Sequence, residues 1–149
     1  MNPEARADIL LVEDSHNDIQ LLLGALKGNE ATQRMAVVRD GEEALDYYFR
    51  RGQYSDAVKP RVVLLDLKLP KLGGLQVLEE IKNSDDRASP IVIFTSSAEA
   101  SDLEEAYRLG ANSYVVKPID FAELTRLARD VCEYWLNRNR IPPFEGPHE

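Results

Sequence analysis

Cysteine is nearly missing from this chain: Cys132 is the only one in 149 residues. A single thiol excludes an intrachain disulfide framework and any cysteine cluster for zinc. Histidine is almost as scarce, and His16 and His148 make no recognisable ligand pair. No apolar run approaches the roughly 18 residues that a membrane-spanning helix needs. Residues 1–8 carry charge without the apolar stretch of a signal peptide. A cytoplasmic location is therefore expected. Positive charge is also in deficit, with 18 Lys and Arg against 26 Asp and Glu, a net charge of −8 and a pI near 4.8. That balance argues against direct binding of a phosphate backbone.

What is present reads as one ordinary globular domain, 44% hydrophobic and 30% charged. Five short apolar runs recur along it: Ile9-Leu10-Leu11-Val12, Met35-Ala36-Val37-Val38, Val62-Val63-Leu64-Leu65, Ile91-Val92-Ile93-Phe94 and Tyr114-Val115-Val116. They are continuous rather than alternating and too short for buried helices, as expected of parallel strands covered on both faces.

Helical spacing fills the intervals. Ile19, Leu22, Leu23 and Leu26 form one apolar stripe, with Gly28 as a terminator. Asp40 and Glu43 have capping-box spacing ahead of Ala44, Leu45, Tyr48 and Phe49, and so do Ser101 and Glu104 ahead of Ala106 and Tyr107. Leu75, Leu78 and Ile81 follow the Gly73-Gly74 turn. Phe121, Leu124, Leu127, Val131 and Trp135 follow Asp120, and Cys132 falls among core-facing positions. The alternation predicts an α/β fold, a doubly wound (βα)5 three-layer sandwich. Right-handed crossovers favour a parallel sheet of order 2-1-3-4-5, with a topological switch between strands 1 and 3.

Ligands bind such sheets at the carboxyl ends of the strands beside the switch. The residues expected there are Glu13-Asp14, Asp66, Thr95 and Lys117. Three carboxylates on one edge repel one another unless a cation neutralises them. Oxygen donors on a shallow edge suit Mg²⁺, which takes one or two carboxylates together with a phosphate oxygen. Asp66, ending the central strand, can touch a metal and attack phosphorus, since aspartyl phosphates are an established covalent intermediate. Lys117 offers a point charge to a phosphate oxygen and Thr95 a hydroxyl donor. Each has a plainer reading: Asp14 as a helix cap, Thr95 as a partner for a local backbone group, Lys117 as a solvated lysine, Tyr114 as a half-buried aromatic and His16 as a solvated helix-start residue.

The chain resembles the receiver domain of two-component response regulators over roughly residues 7 to 135. The likeness is carried by Ile9-Leu10-Leu11-Val12-Glu13-Asp14, Leu65-Asp66-Leu67-Lys68-Leu69-Pro70 with Gly73-Gly74, Thr95-Ser96-Ser97-Ala98, and Gly110-Ala111 leading to Tyr114-Val115-Val116-Lys117-Pro118. It implies that Asp66 accepts a phosphoryl group from a phosphohistidine on a sensor histidine kinase. It implies one Mg²⁺ bound by Asp14, Asp66 and the backbone carbonyl of Lys68, with Glu13 acting through water. Thr95 and Lys117 would bind the phosphoryl group, Thr95 and Tyr114 would switch, and the bond before Pro118 would be cis. Lys68 and Ser97 would tune hydrolysis of the phosphoryl group. The chain would act only on its own phosphorylation and dephosphorylation, and would signal to a partner protein.

A receiver over residues 7–136 leaves 137–149 as a C-terminal extension, with no output domain expected after it. Pro142-Pro143 must end any helix there. Trp135, Ile141 and Phe144 are expected to meet a second copy in a homodimer. The Glu13-Asp14-Ser15-His16-Asn17-Asp18 opening, a long helix between strands 2 and 3 and the extension are similar to the small receivers paired with phytochrome-type kinases.

Three rival readings have specific weaknesses. An aspartate-nucleophile phosphatase of the haloacid-dehalogenase type wants a second Asp two positions after the first, where this chain has Lys68. A flavodoxin-like cofactor binder wants a Ser/Thr/Gly-rich loop after the first strand, where Glu13-Asp14 would repel the phosphate. A phosphate-independent interaction module leaves the full set of acids, hydroxyl and ammonium unexplained.

Overall fold

The computed structural model describes residues 8–27 and 35–142. Five strands alternate with five helices: β1 Ile9–Val12, α1 His16–Ala25, β2 Met35–Val38, α2 Gly41–Tyr48, β3 Val62–Leu65, α3 Gly74–Lys82, β4 Ile91–Thr95, α4 Ala100–Arg108, β5 Ser113–Val116 and α5 Phe121–Glu133. All strand pairs are parallel, in the order β2-β1-β3-β4-β5, as the alternation predicts. The three central strands are buried along their whole length, whereas edge strands β2 and β5 are largely half-buried.

Strand alternation sends successive side chains to opposite faces. Leu10, Val12, Val63, Leu65, Ile91 and Ile93 therefore pack under α2, α3 and α4. Ile9, Leu11, Val62, Leu64, Val92 and Phe94 pack under α1 and α5, where Cys132 is also buried. Burial pushes the Cys132 thiol up to about 12, so it behaves as a small apolar side chain.

The helix starts depend on side-chain caps in three cases. Ser15, rather than Asp14, caps α1 by accepting from the Asp18 N–H at 3.2 Å. Asp40 accepts from Glu43 N at 2.7 Å, and Asp120 from Glu123 N at 2.9 Å. The expected Ser101–Glu104 box does not form. α4 begins earlier, behind Glu99, and Ser97 receives the Glu99 N–H at 3.3 Å while donating to Asp102 at 2.6 Å.

Several apolar assignments shift in detail. In α1 the buried positions are Ile19, Leu21, Leu22 and Ala25, with Leu23 exposed, and Leu26 is buried just past the helix end. Gly28 lies outside the described residues. Tyr107 and Phe121 are exposed although their neighbours Ala106 and Leu124 are buried. The helix expected to be long between β2 and β3 has eight residues, followed by a 3-10 turn at Gly52–Tyr54. Positive φ at Arg50 (58°) and Gly52 (54°) breaks the helical path between them.

Two glycines lock the loop after β3. A Cβ on Gly74 would sit 2.2 Å from the Asp66 carbonyl oxygen, and one on Gly41 would sit 2.0 Å from the Leu72 carbonyl oxygen. Gly74 N donates to Leu67 O at 2.9 Å, closing the turn directly behind Asp66. Backbone on both sides leaves no flexible neighbour to yield. Gly74→Ala is therefore expected to cost about 1–3 kcal/mol, read as a lower urea midpoint at unchanged slope. A midpoint equal to wild type would show that the turn can open without loss.

Candidate phosphoryl-acceptor site

The site is built on Lys117, which follows β5. Its backbone N–H stays in the sheet, donating to Thr95 O at 2.7 Å. Its side chain is buried, and the ammonium Nζ meets Glu13 Oε1 at 2.5 Å, Asp18 Oδ2 at 2.9 Å and Asp66 Oδ2 at 3.3 Å. The Phe94 ring adds a cation–π contact with its centroid at 5.7 Å. Desolvation opposes the Lys117 charge, but the hydrogen bonds it donates to Glu13 and Asp18 and the charge of Asp66 outweigh it and raise its pKa. Lys117 stays protonated.

The acids are held from behind by the sheet. Glu13 N donates to Val38 O and Asp66 N to Val12 O, both at 3.0 Å, so the residue after each strand continues the ladder. Glu13 Oε2 accepts the Ser15 N–H at 3.1 Å, and Asp66 Oδ1 accepts the Leu67 N–H at 2.7 Å. Asp66 thus has one oxygen fixed by backbone and the other turned to Lys117. Burial raises Glu13 to about 7 despite the adjacent ammonium. Asp14 and Lys68 are exposed beside this cluster, on the loops after β1 and β3.

Thr95, fully buried at the end of β4, accepts the Ser97 N–H at a long 3.4 Å. Tyr114 packs its ring against the α2/α3/α4 side of the core and donates to Ser97 O at 3.0 Å. Ser97 therefore links the β4–α4 loop to Thr95, to Tyr114 and to α4. No cis peptide bond occurs among the described residues, so the bond before Pro118 is trans, contrary to expectation. Trans is intrinsically favoured by about 0.5–1 kcal/mol. With the bond trans, the lysine side chain still carries Nζ to the acids.

Sequence reading missed Asp18. Its signal was the i+4 spacing from Asp14, but an acid in the first turn of a helix reads first as a partner of the helix dipole. Of the dimer residues, Trp135 is half-buried against its own core and Ile141 is half-buried, while Phe144 lies outside the described residues. α5 passes into a wider turn at Tyr134–Arg138, closed by Asn139 N donating to Tyr134 O at 2.6 Å. Arg61 donates to Leu136 O at 2.5 Å.

Comparison with known proteins matches residues 9–129 to the response regulator receiver domain. The chain belongs to that family. It is 44% identical over 135 residues to the probable methanogenesis regulatory protein FilR2 of Methanothrix harundinacea, covering 90% of this chain and 86% of FilR2. Response regulator Rcp1 of Synechocystis sp. is 35% identical over 135 residues, covering 90% of this chain and 92% of Rcp1. The crystal structure of the phosphorylated cyanobacterial phytochrome response regulator RcpA superposes with a TM-score of 0.88 at 34% identity, covering 93% of this chain and 99% of that one. The Mn²⁺-bound form of Rcp1 superposes at 0.85, 34% identical and covering 91% and 98% of the two chains. The family is one of two-component signalling receivers, with several phytochrome-linked members. Among the described residues no helix is long and apolar enough to cross a membrane.

The donors present fit a hard divalent cation. Glu13, Asp18 and Asp66 set three carboxylates against one ammonium, Asp14 stands exposed on the loop after β1, and all these donors are oxygen. Among the described residues no three His, Cys, Asp or Glu side chains form a ready-made metal cage.

Lys117 is the counterion of a buried acid, so Lys117→Met in EDTA is expected to lose roughly 3 kcal/mol at pH 7. Glu13 has a folded pKa raised above its unfolded value, so its contribution is present below pH 4.5 and lost as pH rises toward about 7. The variant should therefore regain stability relative to wild type at pH 5, measured by urea unfolding. An equal deficit at both pH values would separate the loss from Glu13.

Proposed function

We propose that the chain is a two-component response regulator that takes a phosphoryl group on Asp66 from a sensor histidine kinase, of the phytochrome type. The observation that carries this reading is Lys117 Nζ in contact with both Asp66 and Glu13, from strand ends far apart in sequence. Phosphoryl transfer asks the protein mainly for position and charge neutralisation. A carboxylate oxygen of Asp66 attacks phosphorus, the bond from phosphorus to the donor nitrogen breaks, and the donor leaves with its electron pair. Lys117 and the Thr95 hydroxyl receive phosphoryl oxygens. Asp14, Asp66 and the Lys68 carbonyl, with Glu13 through water, would hold Mg²⁺, which neutralises charge on the transferring group when bound. Rcp1 with Mn²⁺ supports a divalent cation in this family. Phytochrome-linked relatives support the kinase assignment.

The same loop supplies the switch. Thr95 bonds Ser97 N weakly, at 3.4 Å, so a phosphoryl group can draw its hydroxyl away at small cost. Tyr114, anchored to Ser97 O, then follows the loop. Added charge at one edge would thus become a change at the α4–β5–α5 surface, read by a partner protein. Residues 7–136 form the receiver and 137–149 an extension, and Trp135 at the end of the receiver joins two copies together with Ile141 and Phe144 of the extension. The chain works in the cytoplasm, and its only catalysis is on its own phosphoryl group.

Acetyl phosphate with Mg²⁺ is expected to label the chain stoichiometrically, with labelling lost in EDTA and in Asp66→Asn. Label that persists in Asp66→Asn would move the acceptor elsewhere. Removing residues 137–149 is expected to convert a dimer to a monomer by solution mass. A dimer that survives the truncation would place the contact elsewhere.

A further inference from the structure

The three acids around Lys117 are not equivalent. Glu13 and Asp66 come from strand ends, with side chains 2% and 12% exposed; Asp18 comes from the first turn of α1 and is 31% exposed. An ammonium has three N–H donors, and here each has a carboxylate within reach. Lys117 can turn to a phosphoryl oxygen only by giving one of them up. Releasing Glu13 would leave the most deeply buried of the three acids without its short bond to the ammonium. Asp66 would itself carry the phosphoryl group. Asp18 alone combines a direct bond to Lys117 with enough water to be resolvated afterwards.

We propose that Asp18 is a positioning residue that competes with the phosphoryl group for the Lys117 ammonium, and so sets how readily this receiver becomes and stays phosphorylated. The proposal rests on Asp66 being the acceptor. Asp18 acts through Lys117. Its bond holds the ammonium among the acids, and its charge opposes an incoming phosphate. Both effects have the same sign, so neutralising Asp18 favours the phosphorylated form. The Ser15 hydroxyl, which binds the Asp18 N–H at 3.2 Å, fixes the turn that presents this carboxylate.

The test compares the full chain with Asp18→Asn and Asp18→Glu. Acetyl phosphate is titrated with Mg²⁺ raised until labelling no longer responds to it. Asp18→Asn is expected to lower the half-saturating acetyl phosphate concentration by about three- to fivefold, the upper range of one partly exposed ion pair. Asp18→Glu, which keeps the charge, is expected to return it toward wild type. A second measurement, in EDTA without phosphodonor, follows acetylation of Lys117 by an N-hydroxysuccinimide ester with mass spectrometry. Lys117 should react several-fold faster in Asp18→Asn. The proposal is overturned if both quantities stay within about twofold of wild type, or if the half-saturating concentration rises. Failure of every chain to take phosphate would instead overturn the acceptor reading, and the EDTA measurement would still decide whether Asp18 restrains Lys117.

Discussion

A charged amine buried among carboxylates is costly to assemble, and the rest of the molecule is arranged to hold that cluster in place. The Lys117 ammonium has to be delivered by the last strand, while Glu13 and Asp66 arrive from the first and third. In this parallel sheet all three chain segments come out on the same edge. The crossover helices that make the sheet parallel also bury it on both faces, which explains three central strands without a single exposed residue. Packing and chemistry thus share one cause. The apolar interior fixes strand register, and register fixes where the charges converge.

Much of this was readable in the residues themselves. Continuous runs such as Val62-Val63-Leu64-Leu65 could only be covered strands, and the first polar residue after each run had to fall on the ligand-binding edge. Asp66 and Lys117 were legible for that reason. Asp18 was not, because its role depends on how α1 leaves β1, and its i+4 spacing from Asp14 reads first as an acid on the helix dipole. The α1 stripe failed for a different reason. Leu21, Leu22 and Leu23 are adjacent and chemically identical, so periodicity cannot say which of them faces inward. The fold buries Leu21 and Leu22 and leaves Leu23 out.

The two other departures share a lesson about competing local interactions. Ser101 has the right spacing to cap α4, yet Ser97 already bridges Glu99 and Asp102, so α4 begins ahead of that box. The Lys117–Pro118 bond was expected in the rarer isomer as the means of aiming a lysine. Side-chain length makes that device unnecessary here, with the backbone N–H of Lys117 still in the sheet.

The Arg61 guanidinium fastens the wide turn after α5 to the start of β3, through Leu136 O. Arg61 stands just before the strand whose far end carries Asp66, so about 13 Å of β3 separates the two poles at roughly 3.3 Å per residue. Whatever docks beside Tyr134–Arg138 therefore approaches from beneath the sheet. The wide turn and the carboxylate edge thus occupy opposite ends of one buried strand, so covering one leaves the other open.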